Sequence, residues 1–253
     1  MSVHSADPPG LQDLLFSLAS DDRLALLDEL SARRQRLTAL SKVIGATVQE
    51  CSRHVERLGA AGLVSRDSEG FYATTSLGRA VLKMLPAMRF LLSHRDYSLS
   101  HDPGFLPDQF VERLGELSAG RYVAHVSETL ELIKKILSEA KEFVYLVADQ
   151  PPIVSKVAGS SFTSKEIPVR LIGEKVDKRV ASDLKAVMPN SQVVLMKDVR
   201  VALAMNESQA GICLPDLKGR PDFSSGFEGR DPAFLIWCRD LFEHYWAESH
   251  RTI

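Results

Sequence analysis

The sequence is poor in cysteine: Cys51, Cys213 and Cys238 are the only three in 253 residues, far apart and each inside an apolar pattern. Such spacing gives neither a disulfide framework nor a zinc site, so a reduced, cytoplasmic setting is the simplest expectation and no metal or other cofactor is implied. A leader is not expected either, because the opening MSVHSADPPG has neither a basic start nor an apolar core. Nowhere does the chain supply the roughly 20 consecutive apolar residues that a membrane-spanning helix needs, so no membrane partner is expected. An excess of one charge is also lacking. The 31 basic residues face 33 acidic ones, for a net charge of −2, and affinity for a polyanion would have to come from a local basic surface. What remains is globular in composition, 45% hydrophobic and 25% charged, in a length that suits two domains.

Apolar spacing predicts helices over 11–18 and 24–30, with Ser20, Asp21 and Asp22 as the capping region between them, and a short third helix over 38–44. Gly45, Ala46 and Thr47 follow as a turn. Thr47 can cap a fourth helix, and Glu50 three residues on completes a capping box. Within that helix Val48, Cys51, Val55 and Leu58 recur at steps of three and four and should face the core, while Gly62 ends it. Residues 63–75 predict two short strands joined around Asp67, Ser68, Glu69 and Gly70. A fifth helix follows to Leu92, with Pro86 expected to bend or end it midway. This is the element order of a winged helix-turn-helix.

The polar, turn-rich stretch 93–104 is the best candidate linker. The expected organisation is therefore a winged helix-turn-helix over 1–93, a linker and connecting helix over 94–121, and an α/β effector or dimerisation domain over 122–253. Past the linker, helices are expected near 106–117, 127–140 and 177–187, and strands over 143–147, 167–172, 192–196, 201–205 and 211–214. The later strands are too close together for crossover helices, which predicts a mixed sheet, parallel in part and ending in an antiparallel meander. Asp231 and Pro232 open a last helix whose Phe234, Leu235, Cys238, Leu241, Phe242, Tyr245 and Trp246 form one broad apolar face. The fold class is α+β, an N-terminal winged helix-turn-helix followed by an α/β domain with a mixed sheet.

In a helix that turns 100° per residue, an inward Val48, Cys51, Val55 and Leu58 leave Gln49, Arg53, Glu56 and Arg57 outward, with Ser52 and His54 on the flanks. Arg53 has the paired donors that read guanine and Gln49 the donor and acceptor that read adenine, while Ser52 and Arg57 suit phosphate. Arg66 beside the hairpin is the natural second contact. An amphipathic helix often carries mixed charge on its solvated face for no further reason. Here the context of short helix, turn, capped helix and hairpin favours double-stranded DNA as the partner. One such unit covers a short half-site, so a homodimer is expected, through either the 77–92 helix or the apolar last helix.

The run SRHVERLGAAGLV, preceded by LTALSKVIGATVQEC and followed by SLGRAVL, resembles the winged helices of ArsR- and MarR-type regulators. The resemblance implies that Thr47, Ser52, Arg53 and His54 lie on or beside the recognition surface and that Arg66 sits in the wing. Residues 202–246 resemble the C-terminal domain of archaeal methanogenesis regulatory proteins, itself distantly similar to the phospholipase D-like effector domain of TrmB-type sugar-responsive regulators. That resemblance implies a sensing or assembly module and names no ligand.

A phospholipase D site pairs a His nucleophile with a Lys two residues later, because histidine attacks phosphorus while lysine steadies the phosphate oxygens. No His here has that partner: Val126 and Ser127 follow His125, and Tyr245 and Trp246 follow His244. GxSxG, P-loop and HExxH patterns are absent too, and the chain is expected not to be an enzyme. In the glycine-rich stretch 215–230, Asp216, Arg220 and Asp222 are the candidate contacts for a small-molecule effector near the strand ends. His94, Asp96, His101 and Asp102 match no metal spacing and read as a polar hinge. The expected function is a dimeric, sequence-specific transcriptional regulator, and the rival is a protein-interaction or ligand-binding module whose winged helix does not bind DNA.

Overall fold

The computed structural model describes residues 10–149, 167–174, 182, 185–186 and 188–251. The helix expected over 177–187 lies largely outside the described residues. The chain divides into two compact units, Met1–Leu85 and Pro86–Ile253.

The first unit contains α1 (Leu11–Leu18), α2 (Asp21–Ala32), β1 (Gln35–Arg36), α3 (Leu37–Val43), α4 (Val48–Ala60), β2 (Val64–Arg66) and β3 (Phe71–Thr74), and it includes the start of α5 (Ser76–Ser93). Each turn has a local cause. The Ser20 hydroxyl accepts from the Arg23 amide at the start of α2, and Gly45 (φ 65) and Gly62 (φ 72) take the left-handed conformation that a side chain resists. β3 pairs with both β1 and β2 in a three-stranded antiparallel sheet. The core is made by Leu26, Leu27, Leu40, Cys51, Val55, Leu58 and Leu63 with their neighbours. Arg23 is buried beside it, donating to the carbonyls of Ser17 (2.5 Å) and Phe16 (2.9 Å) that α1 leaves unpaired at its end.

Two expectations for this stretch need correction. Val48 does not face the core: it is 45% exposed, because as the first residue of α4 it stands at the rim and the buried seam begins only at Cys51. Pro86 does not end the fifth helix. α5 continues through it to Ser93, and in the second unit Pro86 lies so close to Gly115 that any Cβ there would collide with its ring.

Among the described residues, the second unit is a sheet of eight strands with helices on both faces. Its strands are β4 (Arg121–Val123), β5 (Val144–Ala148), β6 (Val169–Gly173), β7 (Ser191–Leu195), β8 (Ala202–Met205), β9 (Ala210–Cys213), β10 (Gly226–Gly229) and β11 (His250–Arg251). The spatial order is β11-β7-β6-β5-β8-β9-β10-β4. β5, β6 and β7 are parallel, and β8, β9, β10 and β4 form the antiparallel meander. β4 and β10 were not anticipated, and β10 lies within the stretch expected to be a polar loop. Strand alternation sorts the side chains: Leu146 and Leu171 join α8 (Val126–Glu139), while Val147, Ile172 and Leu203 join α9 (Pro232–Glu248). The broad face of α9, with Phe234, Trp237, Leu241 and Phe242 fully buried, belongs to this core. It is therefore not free to form a dimer.

The expected linker is not a linker. Residues 94–121 are built into the second unit as α6 (Arg95–Ser100), α7 (Asp108–Val111) and two short 3-10 turns, with Tyr97, Leu106, Phe110, Leu114 and Leu117 in its core. The reason lies in long-range pairing. The Tyr97 hydroxyl accepts from the Leu214 amide at 3.0 Å, and burial raises its pKa so that the phenol stays neutral. His101, 4% exposed, stacks on the Tyr97 ring with centroids 3.7 Å apart, and its Nε2 lies 3.2 Å from the Asp222 carboxylate.

Two substitutions check this account. Tyr97→Phe leaves the buried Leu214 amide without its acceptor and should cost about 1–3 kcal/mol in urea unfolding. Val55→Asp places a charge in the small N-terminal core and should abolish the cooperative unfolding of that unit. A wild-type midpoint for both variants would contradict the packing described.

Candidate nucleic-acid interface and a second polar cleft

α4 is fixed at its start by hydrogen bonds that leave one side open. The Thr47 hydroxyl accepts from the Glu50 amide (3.2 Å), and the Glu50 carboxylate accepts from the Thr47 amide (3.0 Å) and hydroxyl (2.8 Å). These bonds, led by the backbone one, hold the Glu50 pKa below its ordinary value. With Cys51, Val55 and Leu58 buried, Thr47, Gln49, Arg53 and Arg57 are exposed, and Ser52 and His54 are half-buried on the flanks. The sequence-predicted residues on this helix thus differ in how free they are. Gln49 and Arg53 stand four residues apart on the open side. Ser52 donates to Glu56 (2.8 Å), His54 Nε2 is 3.5 Å from the Asp22 carboxylate, and the Arg57 guanidinium lies over the Phe16 ring at 4.4 Å.

Beyond α4, Arg66 is exposed on β2 with its guanidinium 5.6 Å from the Tyr72 ring centre. The hairpin tip is tied by Asp67, whose carboxylate accepts from the amides of Phe71 (2.8 Å) and Glu69 (3.0 Å) and from Arg34 (3.0 Å). The bond from Phe71 is the main reason its pKa is lowered. Arg34 also reaches Glu69 at 3.5 Å, and the guanidinium groups of Arg34 and Arg36 each lie 4.7 Å from the Phe71 ring centre. Sequence reasoning missed this basic strand. The signal was the run ARRQR just before α3, within reach of a hairpin that carries an aromatic. From residue 33 to 66 the chain holds seven basic and two acidic side chains, a local excess that the near-neutral whole does not reveal.

In the second unit, two of the three candidate effector contacts have structural roles. Asp216 accepts from the amides of Lys218 (2.8 Å) and Arg220 (2.9 Å), and the bond from Arg220 is the leading cause of its lowered pKa. Asp222 accepts from the Ser224 amide and hydroxyl and faces His101. Arg220 alone lines a cleft. That cleft, about 460 Å³, is bounded by Asp149 and Glu174, which directly follow β5 and β6, by Asp198 and Arg200, and by Lys218 and Arg220. Among the described residues, no group of acidic, His or Cys side chains could hold a metal ion.

No family model and no curated protein matches the chain. Among solved structures it is similar to TrmBL2, an archaeal chromatin protein that binds DNA, at 13% identity over 93% of this chain and 95% of that one, with a TM-score of 0.38. It is also similar to NcsB1, an O-methyltransferase of neocarzinostatin biosynthesis (14% identity, 78% and 68% covered, TM-score 0.26). An O-methyltransferase family protein from Burkholderia thailandensis gives 12% identity, 74% and 60% covered, and a TM-score of 0.29. At these values none of the likenesses says what this chain does. The expectation that the chain is not an enzyme is nevertheless corrected by them, since several of the matched structures are methyltransferases. The missing His–Lys pair excluded one hydrolytic chemistry, and that does not exclude others.

Arg34→Ala removes the guanidinium that holds Asp67 and Glu69, and amide exchange over residues 67–71 should quicken while α4 is unaffected. Acid should act in the same way. The folded Asp67 pKa is depressed, so its support is intact above the ordinary Asp value near 3.9 and is lost as pH falls through the lower folded value. Unchanged exchange in Arg34→Ala would show that the hairpin does not depend on this contact.

Proposed function

We propose that the chain is a sequence-specific, DNA-binding transcriptional regulator whose first unit is a winged helix-turn-helix of the ArsR or MarR kind, with a second unit that senses or assembles. The observation that carries the reading is the side of α4 opposite Cys51, Val55 and Leu58. It presents Gln49 and Arg53, four residues apart and exposed, on a helix whose start is locked by the Thr47–Glu50 box. Such a helix enters the major groove with base-reading groups already aimed.

In this reading Arg53 reads guanine and Gln49 reads adenine. Thr47 and the Ser52 and His54 flanks border the contact, and Arg57 and Arg66 meet phosphates on either side. Arg36 joins them as a phosphate contact from β1. The second unit's resemblance to archaeal methanogenesis regulatory proteins supports the effector role, and the cytoplasm, where such a cell keeps its genome, is the place of action.

A second copy is the expected partner. On the part of α5 in the first unit, Leu77 and Met84 are 51% and 70% exposed and, seven residues apart, fall on one side of the helix. Exposed apolar side chains on one side of a helix suit association with a second copy, and the broad face of α9 is buried. One feature favours the alternative of a winged helix that contacts protein: the hairpin tip carries Asp67 and Glu69, which neutralise Arg34 and would face a polyanion.

Binding of the full chain to duplex DNA separates the two. Affinity should fall steeply with salt as counterions are released. Arg53→Ala should cost about 1–3 kcal/mol at the preferred site, and Arg66→Ala should weaken all sequences alike and reduce the salt slope by about 1. Absence of duplex binding at low salt would favour the protein-contact reading. Replacing Leu77 and Met84 together with Glu should give a monomer by sedimentation and weaken specific binding. A dimer that survives this change would place the interface elsewhere.

A further inference from the structure

The cleft at the carboxyl ends of β5 and β6 carries both charges: Asp149 and Glu174, each the residue after a parallel strand, line it with Asp198, and so do Arg200, Lys218 and Arg220. Ligands of open α/β sheets gather outside the carboxyl ends of parallel strands. Here β5 is also where the sheet changes character, with parallel β6 on one side and antiparallel β8 on the other. The loop that carries Lys218 and Arg220 is preorganised, since the Asp216 carboxylate holds the amides of Lys218 and Arg220 and the Arg200 guanidinium donates to the Gly219 carbonyl at 3.2 Å.

Asp149 Oδ1 is buried and has no hydrogen-bond partner among the described residues, and buried carboxylate oxygens are otherwise almost always satisfied. An ammonium would supply both a donor and the opposite charge. Among the described residues of the lining, Val199 and Pro221 are apolar and the rest, Gly219 apart, are charged, which suits a small polar ligand.

We infer that this cleft binds a small zwitterion of the amino-acid class, its ammonium at Asp149 and its carboxylate at Lys218 and Arg220. A lining that holds carboxylates and cations together matches a ligand that carries both charges, and the fork of Arg220 suits a carboxylate. The volume lies within the range of small-molecule sites. The inference deepens the regulator reading by naming its effector, but the binding itself does not depend on DNA.

The test is titration calorimetry on the full-length protein without DNA. It uses each of the common amino acids, the N-acetylated and amidated forms of any that binds, and inorganic phosphate and glucose 6-phosphate. At least one free amino acid should bind, and blocking either of its ends should weaken binding about tenfold or more. Asp149→Asn should do the same. Lys218→Met, at an exposed position, should weaken binding too, through the ligand's carboxylate. Binding by no amino acid, binding indifferent to the blocked ends, or binding by phosphate or the sugar phosphate alone would overturn the inference. Any of those results would leave DNA affinity, measured separately, to stand or fall on its own.

Discussion

The functional reading depends on one constraint, the burial of Cys51, Val55 and Leu58 along a single seam of α4. Three apolar residues at steps of three and four cannot enter a core without fixing the rotation of the whole helix, and fixing that rotation decides where every other side chain points. Gln49 and Arg53 are outward because their neighbours are inward. The Thr47–Glu50 box adds the axial position, since it stops the first turn from fraying and so sets where the helix begins. A charged helix that could roll about its axis would attract phosphate but could not distinguish bases, which requires donors held in place before contact.

The same logic operates in the second unit through a different period. Alternation along β5, β6 and β8 sends successive residues to α8 and α9, so both faces of the sheet carry a packed core. The acidic residues after β5 and β6 stand at the strand ends because the apolar runs before them are spent on the two cores. Tyr97 and His101 bring residues 94–106 against the meander and thereby support the loop that carries Lys218 and Arg220.

How much of this was legible in the sequence follows from how local each signal is. The cap of α4 and its buried seam depend on residues within one or two turns of each other, and only Val48, at the helix rim, was misplaced. The parallel-then-antiparallel sheet could be read from the spacing of apolar runs. β4 and β10 could not, because three- and four-residue strands, one of them bounded by Gly226 and Gly229, exist only through ladders to residues far away in the chain. Residues 93–104 look like a linker for the same reason: their polarity is local, while the partners of Tyr97 and His101 are more than a hundred residues on. Asp149 and Glu174 were findable. Each is an acidic residue directly after an apolar strand, in VYLVAD and VRLIGE, where a parallel sheet gathers its ligands.

The central claim is that the open side of α4 meets DNA, and amide chemical-shift mapping of the full chain against a selected duplex tests it most directly. The account predicts that the largest changes at moderate salt fall on residues 47–57 and on the hairpin around Arg66, with the buried positions Cys51 and Val55 changing less than Gln49 and Arg53. Changes confined to the second unit, or none even at low salt, would contradict it.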